Sequence, residues 1–128
     1  MQFELPTKKQ LPLPIESLHE ARVSNVVNLG EKDTPWGRKR QLFVEFTILD
    51  EKGPDGGELK VRKYFGNSLH KKSAFFAFVS LLFDGQVPKA FSSEHILNRK
   101  VRIFTANSEP DKDGIVWAQV AKILGAAQ

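Results

Sequence analysis

Residues 58–73 read Glu58-Leu-Lys-Val-Arg-Lys-Tyr-Phe-Gly-Asn-Ser-Leu-His-Lys-Lys-Ser73. Apolar and polar residues alternate through the first half, which is typical of a strand with one buried face. One face carries Leu59, Val61, Lys63 and Phe65, and the opposite face carries Lys60, Arg62 and Tyr64. Gly66-Asn67 interrupts the strand, and Ser68 is placed to cap a helix over residues 69–83. The stretch therefore predicts a basic, aromatic strand that leads directly into a helix.

The predicted helix is apolar around most of its circumference. Its apolar residues recur at helical spacing, as Phe75, Phe78, Val79 and Leu82 do. A helix of this kind is expected to be largely buried, and in a small β-protein it is placed to plug one end of a barrel.

Two further strands are predicted before this stretch. The first covers residues 18–29, with a bulge where Val26-Val27 breaks its alternation. The second, 41–49, has an unbroken apolar face. Residues 31–37 are predicted to be a loop, and residues 50–57, which contain Gly-Pro-Asp-Gly-Gly, a hairpin turn.

Two strands are predicted after the helix. They cover residues 98–107 and 115–124 and flank a polar hairpin loop at 108–114. The predicted order is thus β1-β2-β3-α-β4-β5. This is the order of the OB-fold, a small all-β Greek-key barrel of five strands, whereas a ferredoxin-like order would need a helix after the first strand.

Length and composition indicate one folded domain. The chain has 128 residues, of which 41% are hydrophobic, and this is enough for a single core. Residues 1–14 contain Pro6, Pro12 and Pro14 and are predicted to be an extended arm. Residues 15–128 are predicted to be the OB-fold domain.

Several classes of protein are disfavoured by composition. The absence of cysteine excludes a disulfide framework and a cysteine-ligated zinc site, and it fits a reducing cytoplasm. No apolar run approaches the roughly 20 residues that span a bilayer, and the first residues lack the layout of a signal peptide, so no membrane partner is expected. The net charge of +4 permits a polyanionic partner.

No pattern of catalytic residues stands out. The phosphate-binding glycine loop, the H-E-x-x-H motif and the G-x-S-x-G motif are all missing. His19, His70 and His95 lie on different predicted elements without the spacing of metal ligands, and residues 111–114 read as a hairpin turn and not as a calcium loop. We therefore expect no enzyme activity, cofactor or metal.

The candidate binding residues are cations interleaved with aromatic rings. They comprise Trp36, Arg38, Lys39, Arg40, Phe43, Lys60, Arg62 and Tyr64. Cations neutralise phosphates, and flat rings stack on unpaired bases at roughly 1–3 kcal/mol per base. In OB-folds the face of strands two and three, with the loops that join strands one–two and four–five, binds oligonucleotides and oligosaccharides. The same residues are also compatible with a solvated face, with Phe43 packed under the arm and Trp117 packed against the first strand.

Three stretches, 21–30, 39–46 and 63–73, resemble small OB-fold proteins of bacteriophages and related mobile elements that are described as single-stranded DNA-binding proteins. The most distinctive part is Ser68-Leu-His-Lys-Lys-Ser73, and Trp117-Ala-Gln-Val120 is a looser match. The resemblance extends over residues 15–124. It implies a bacterial or phage-infected host cell and a role in phage-type DNA replication or recombination.

The leading hypothesis is a non-enzymatic, largely sequence-independent single-stranded DNA-binding protein. Its cations would contact phosphates, and Trp36, Phe43 and Tyr64 would stack on bases. Homodimer formation and contacts with replication or recombination proteins remain open. Two alternatives also remain: an OB-fold adaptor or structural protein that binds another protein, and a module for RNA or oligosaccharide. A salt titration separates DNA binding from an apolar protein interface.

Overall fold

The computed structural model describes residues 10–35, 37–68, 72–89 and 91–126. Its strands are β1 (Leu18–Thr34), β2 (Gly37–Lys52), β3 (Glu58–Gly66), β4 (Lys100–Asn107) and β5 (Ala118–Ala126). One α-helix, α1 (Ala74–Leu82), lies between β3 and β4 in this part of the chain, and a 3₁₀ turn (Ser93–His95) follows it. The predicted order β1-β2-β3-α-β4-β5 is confirmed.

The five strands form a closed barrel in the order β1-β2-β3-β5-β4. β1 pairs with β4 to complete the circle, and these contacts are antiparallel, like those of β1 with β2, β2 with β3, and β4 with β5. β3 and β5 instead run parallel, and within the described residues their pairing is recorded at Arg62 and Gln119. This mixed barrel with one helix between β3 and β4 agrees with the predicted OB-fold.

The core is built from the inward faces of the strands and one side of α1. Alternate strand residues are buried, among them Val44, Phe46, Ile48, Val61, Val101 and Ile103. From α1, Phe75, Phe78, Val79 and Leu82 join the same cluster, as their spacing predicted. Within the described residues, no helix combines the length and the apolar character needed to cross a membrane.

The helix begins later than the sequence predicted. Its N-cap is Ser73, whose Oγ accepts the N–H of Phe76 at 3.1 Å, so the prediction that Ser68 caps a helix from residue 69 is wrong. The Ser73 hydroxyl also donates to the Ser68 carbonyl at 2.7 Å. A cap must lie directly before the first helical turn, and Ser73 directly precedes the apolar run. Residues 69–71 lie outside the described part.

β1 and β2 continue beyond the barrel as a two-stranded ribbon, residues 30–41. The predicted loop at 31–37 is therefore wrong except at its tip, since Thr34 pairs with Gly37. Oppositely charged residues face each other across the ribbon, Glu31 with Arg40 and Asp33 with Arg38, and such pairs favour continued pairing.

Irregularities and strand ends also differ in detail from the prediction. Register shifts occur at Val23/Asn25 and at Asn28/Gly30, on either side of the predicted bulge. At the far end, β2 continues to Lys52, so the second hairpin turn is shorter than the predicted 50–57.

Candidate nucleic-acid interface

A groove of about 1030 Å³ runs along the outside of the barrel where β3 meets β5. One wall is the outward face of β3, with Lys60, Arg62 and Tyr64. The other comes from the start of β5, the segment before it with Trp117, and residues 11–13 of the N-terminal arm. The groove therefore combines cations, carboxylates and rings in one concave surface.

The cations of the β3 wall are held by a carboxylate. Lys60 and Arg62 alternate with buried residues and are exposed, as the sequence predicted. Lys60 Nζ lies 3.8 Å from Glu45 Oε1, and Arg62 Nε lies 3.7 Å from Glu45 Oε2. Glu45 is 15% exposed, and Ser24 Oγ donates to its Oε1 at 3.3 Å. One carboxylate thus positions two cations.

The aromatic part of the β3 wall has an exposed ring and a covered ring. Tyr64 is 57% exposed, whereas Phe43 on β2 is only 8% exposed. The Arg62 guanidinium lies 4.4 Å from the centroid of Phe43, and the rings of Phe43 and Tyr64 are 5.6 Å apart. Phe43 faces outward, as its position in the strand predicted, but Arg62 and Tyr64 cover it. It supports the wall from beneath, and it offers little surface on which a base can stack.

Trp117 lines the opposite side of the groove. It is 44% exposed, and its Nε1–H donates to Asp111 Oδ2 at 3.0 Å. Because β3 and β5 run parallel where Arg62 pairs with Gln119, Trp117 comes level with Lys60. The sequence offered packing against β1 as its role, but the structure places the ring in the groove. In the sequence, Trp117 directly follows the predicted loop between β4 and β5, and in OB-folds that loop belongs to the binding surface. This position could have indicated that the ring lies in the groove.

The other predicted cations lie on the ribbon. Arg38 Nε is 3.5 Å from Glu31 and 3.7 Å from Asp33, and Arg40 Nε is 4.0 Å from Glu31. Lys39 lies on the opposite face, because successive strand residues alternate. Among the described residues that line the groove, none of these three cations appears. The predicted set is therefore divided between two surfaces.

A smaller hollow, of about 550 Å³, lies at the base of the ribbon. Pro35 near the tip of the ribbon also lines it, together with Lys39, Arg40, Gln41 and the segment 66–68, which directly follows the part of β3 that lines the groove. Trp36, predicted to stack on bases, lies outside the described residues. Its role stays a prediction.

The described part of the N-terminal arm is attached beside the groove. The Gln10 side chain pairs with the backbone of Val116: its Nε2–H donates to the carbonyl at 2.7 Å, and its Oε1 accepts the N–H at 2.8 Å. At the other end, the N–H of Ile15 donates to Glu51 Oε1 at 2.9 Å. The arm therefore contributes to the site, which the sequence did not indicate, and residues 1–9 lie outside the described part.

The described residues do not meet the requirements of a metal site. Across the described ranges, no group of three or more His, Asp or Glu side chains is placed to hold a metal ion. His95 Nδ1 accepts the N–H of Ser92 at 2.9 Å, in a capping role.

No protein-family model matches this chain, and no curated protein matches it closely enough in sequence to count as a relative.

Proposed function

We propose that this protein binds single-stranded DNA in the groove between β3 and β5, largely independently of sequence and without chemical change to the DNA. The observation that carries the proposal is one groove that presents two cations, Lys60 and Arg62, together with two exposed rings, Tyr64 and Trp117. Cations pair with phosphates, and every base has a flat face that can stack on a ring.

The exposed rings favour a single strand over a duplex. In a duplex each base already stacks on its neighbours, so its faces cannot meet Tyr64 or Trp117. The cations alone would bind either form, because phosphates carry no sequence information. Lys39 and Arg40 at the hollow extend the basic surface along β3 and offer further phosphate contacts. Phe43 then acts by holding Arg62 and Tyr64 in place.

The resemblance to phage and mobile-element proteins supports a biological setting in DNA replication or recombination. In that setting the protein would cover single strands that other proteins act on. RNA shares the bases and phosphates that the groove would contact. A fluorescence titration with matched DNA, RNA and duplex oligomers therefore establishes which nucleic acid is preferred.

Changing both Lys60 and Arg62 to Gln tests the proposal. Each neutralised phosphate on a single strand contributes about 0.7 to the slope of log affinity against log salt, so the double change is expected to flatten the slope by roughly 1.4. Oligomers of dT and dC should lose affinity alike. Affinity is measured by fluorescence anisotropy at several salt concentrations.

The matched control is the double change Lys100→Gln with Arg102→Gln. These cations are exposed on β4 at the same spacing, and the variant has the same net charge. It should leave the slope nearly intact. Equal slopes in the two double variants would show that binding, if present, does not use the β3 wall. A nearly salt-independent affinity would instead favour a protein-binding adaptor.

Glu45→Gln is expected to strengthen binding. Glu45 pairs with both cations in the unliganded protein, so phosphates must compete with it. Ion pairs at the protein surface are worth about 0.2–1 kcal/mol each, so the gain should be at most roughly fivefold for each of the two pairs. Anisotropy titrations at low salt measure it, with Glu94→Gln, an exposed residue of the 3₁₀ turn, as the control. Weaker binding by Glu45→Gln would mean that the carboxylate orients the cations more than it competes for them.

A further inference from the structure

The N-terminal arm closes one side of the groove. Leu11, Pro12 and Leu13 line it beside Trp117, and Leu11 is 57% exposed. An apolar side chain beside an exposed ring suits the flat face of a base better than it suits a phosphate. The arm is therefore placed to contact the bases of a strand whose phosphates lie on the β3 cations.

A buried histidine takes part in the attachment of the arm at Ile15. His19 on β1 is 5% exposed, and its two ring nitrogens face two oxygens. Nδ1 lies 2.7 Å from Asp50 Oδ1, and Nε2 lies 2.6 Å from the carbonyl oxygen of Ile15, where the arm ends. A neutral imidazole has one N–H and can donate to only one of them. Both contacts are hydrogen bonds only when His19 is protonated.

The charges around His19 are mostly negative. β2 contributes Asp50 and also Glu51, whose Oε1 is 3.8 Å from Nε2. On β1, the N–H of Glu20 donates to Asp50 Oδ2 at 2.9 Å, and the Glu20 carboxylate is opposite Arg102 of β4 in the strand register. The other β4 neighbours, Ile103 and Thr105, carry no charge. Thr105 Oγ1 donates to the same Ile15 carbonyl at 3.0 Å.

These neighbours favour the protonated form of His19. Burial opposes the imidazolium, but the Ile15 carbonyl, the Asp50 hydrogen bond and the charges of Asp50 and Glu51 outweigh it and raise the pKa of His19. Burial also opposes the Asp50 carboxylate, but the Glu20 N–H and His19 outweigh it and lower the pKa of Asp50. The hydrogen bond from His19 to Ile15 is therefore present below the raised pKa of His19 and is lost as the pH rises through it.

We propose that residues 10–15 form a movable wall of the groove that contacts bound bases, and that protonated His19 is the latch that holds the Ile15 end of this wall in place. The base contact rests on the proposed function, whereas the latch does not. When His19 loses a proton, its remaining N–H stays with the charged Asp50, because charge-assisted hydrogen bonds are the stronger ones. The Nε2 lone pair then faces the Ile15 carbonyl oxygen and repels it, so the Ile15 end of the arm loosens, with Glu51 and Thr105 as its remaining hydrogen-bond partners.

The latch is tested without DNA. In a Trp36→Phe protein, Trp117 is the sole tryptophan, and its quenching by acrylamide reports whether the arm covers it. As the pH is raised, quenching is expected to increase in a transition that lies above the ordinary pKa of histidine. The transition should be absent when His19→Gln is added to the Trp36→Phe protein. It should persist when His70→Gln or His95→Gln is added instead. Gln10→Ala should give strong quenching at every pH. A transition that survives His19→Gln would overturn the latch.

A second measurement does not depend on the stability of any variant. Nitrogen-15 NMR of the histidine rings in the unmodified protein reads the protonation of each nitrogen. The His19 ring should carry protons on both nitrogens below the transition in Trp117 quenching and lose one of them through it. A His19 ring whose protonation does not change across that transition would overturn the latch.

The wall is tested with an oligo-dT strand. Above the transition, binding must immobilise the arm again, and fixing one side chain corresponds to a loss of about two- to tenfold in affinity. The salt slope should not change, because no phosphate contact is lost. A transition in Trp117 quenching with no binding of DNA at any pH would contradict the proposed function and leave the latch intact. DNA binding that is equally tight on both sides of the transition would overturn the wall.

Discussion

A protein in which Tyr64 and Trp117 are both replaced by alanine is expected to lose nearly all useful affinity for single-stranded DNA. Each base–ring stack is worth roughly 1–3 kcal/mol, so the two changes together should cost about 2–6 kcal/mol of binding free energy. Both rings are more than two-fifths exposed, so the free energy of unfolding should change little. The salt slope should stay close to that of the unchanged protein, because the cations remain.

The control for this variant is Phe104→Ala, which removes a ring of similar exposure from the outer face of β4. Tyr64→Phe keeps a ring in the groove and should bind almost as well as the unchanged protein. Anisotropy titrations measure affinity, and thermal unfolding checks stability. If Phe104→Ala and the double variant lose equal affinity, the groove between β3 and β5 is not where bases stack.

Phe78→Ala is expected to lower the free energy of unfolding by about 3–5 kcal/mol, as large-to-small changes at buried phenylalanines do. Phe78 is fully enclosed. Its ring stacks on Phe65 at 5.4 Å between centroids and meets Phe46 edge-on at 5.8 Å, so one side chain joins α1 to β3 and β2. Removing it leaves a cavity at the centre of these contacts.

Chemical denaturation measures this loss, and Leu81→Ala is the matched control. Leu81 lies on the exposed side of the same helix, so its removal should change stability by no more than about 0.5 kcal/mol. The folded fraction of Phe78→Ala should still bind DNA, because the ring does not reach the groove. A loss in Phe78→Ala as small as that in Leu81→Ala would contradict the placement of α1 in the core.

The barrel was predictable because its signals are local. Alternation in β2, β3 and β4 shows which side chains face inward, and helical spacing identified the buried side of α1. The choice between Ser68 and Ser73 as the cap was not visible, since both precede an apolar residue. The ribbon was missed because its pairing depends on charges that meet only across the hairpin, such as Glu31 and Arg40.

The candidate site was predictable only on β3. There, strand parity alone placed Lys60, Arg62 and Tyr64 together. Trp117 and the arm join them through tertiary contacts. The parallel pairing of β3 with β5 places Trp117, and the hydrogen bonds between Gln10 and Val116 place the arm. No short-range pattern encodes contacts between residues so far apart in the chain.

The parallel contact between β3 and β5 would give a bound DNA strand a role in the stability of the barrel. The described residues record this pairing at Arg62 and Gln119, so it is a short strand pairing in an otherwise antiparallel barrel. DNA that contacts both walls of the groove would bridge β3 and β5 across this pairing. Any ligand that binds only the folded form raises its stability by RT ln(1 + [L]/Kd), and here the ligand would reinforce the barrel where its own backbone holds it least. Binding of a single strand would then also stabilise the closed barrel.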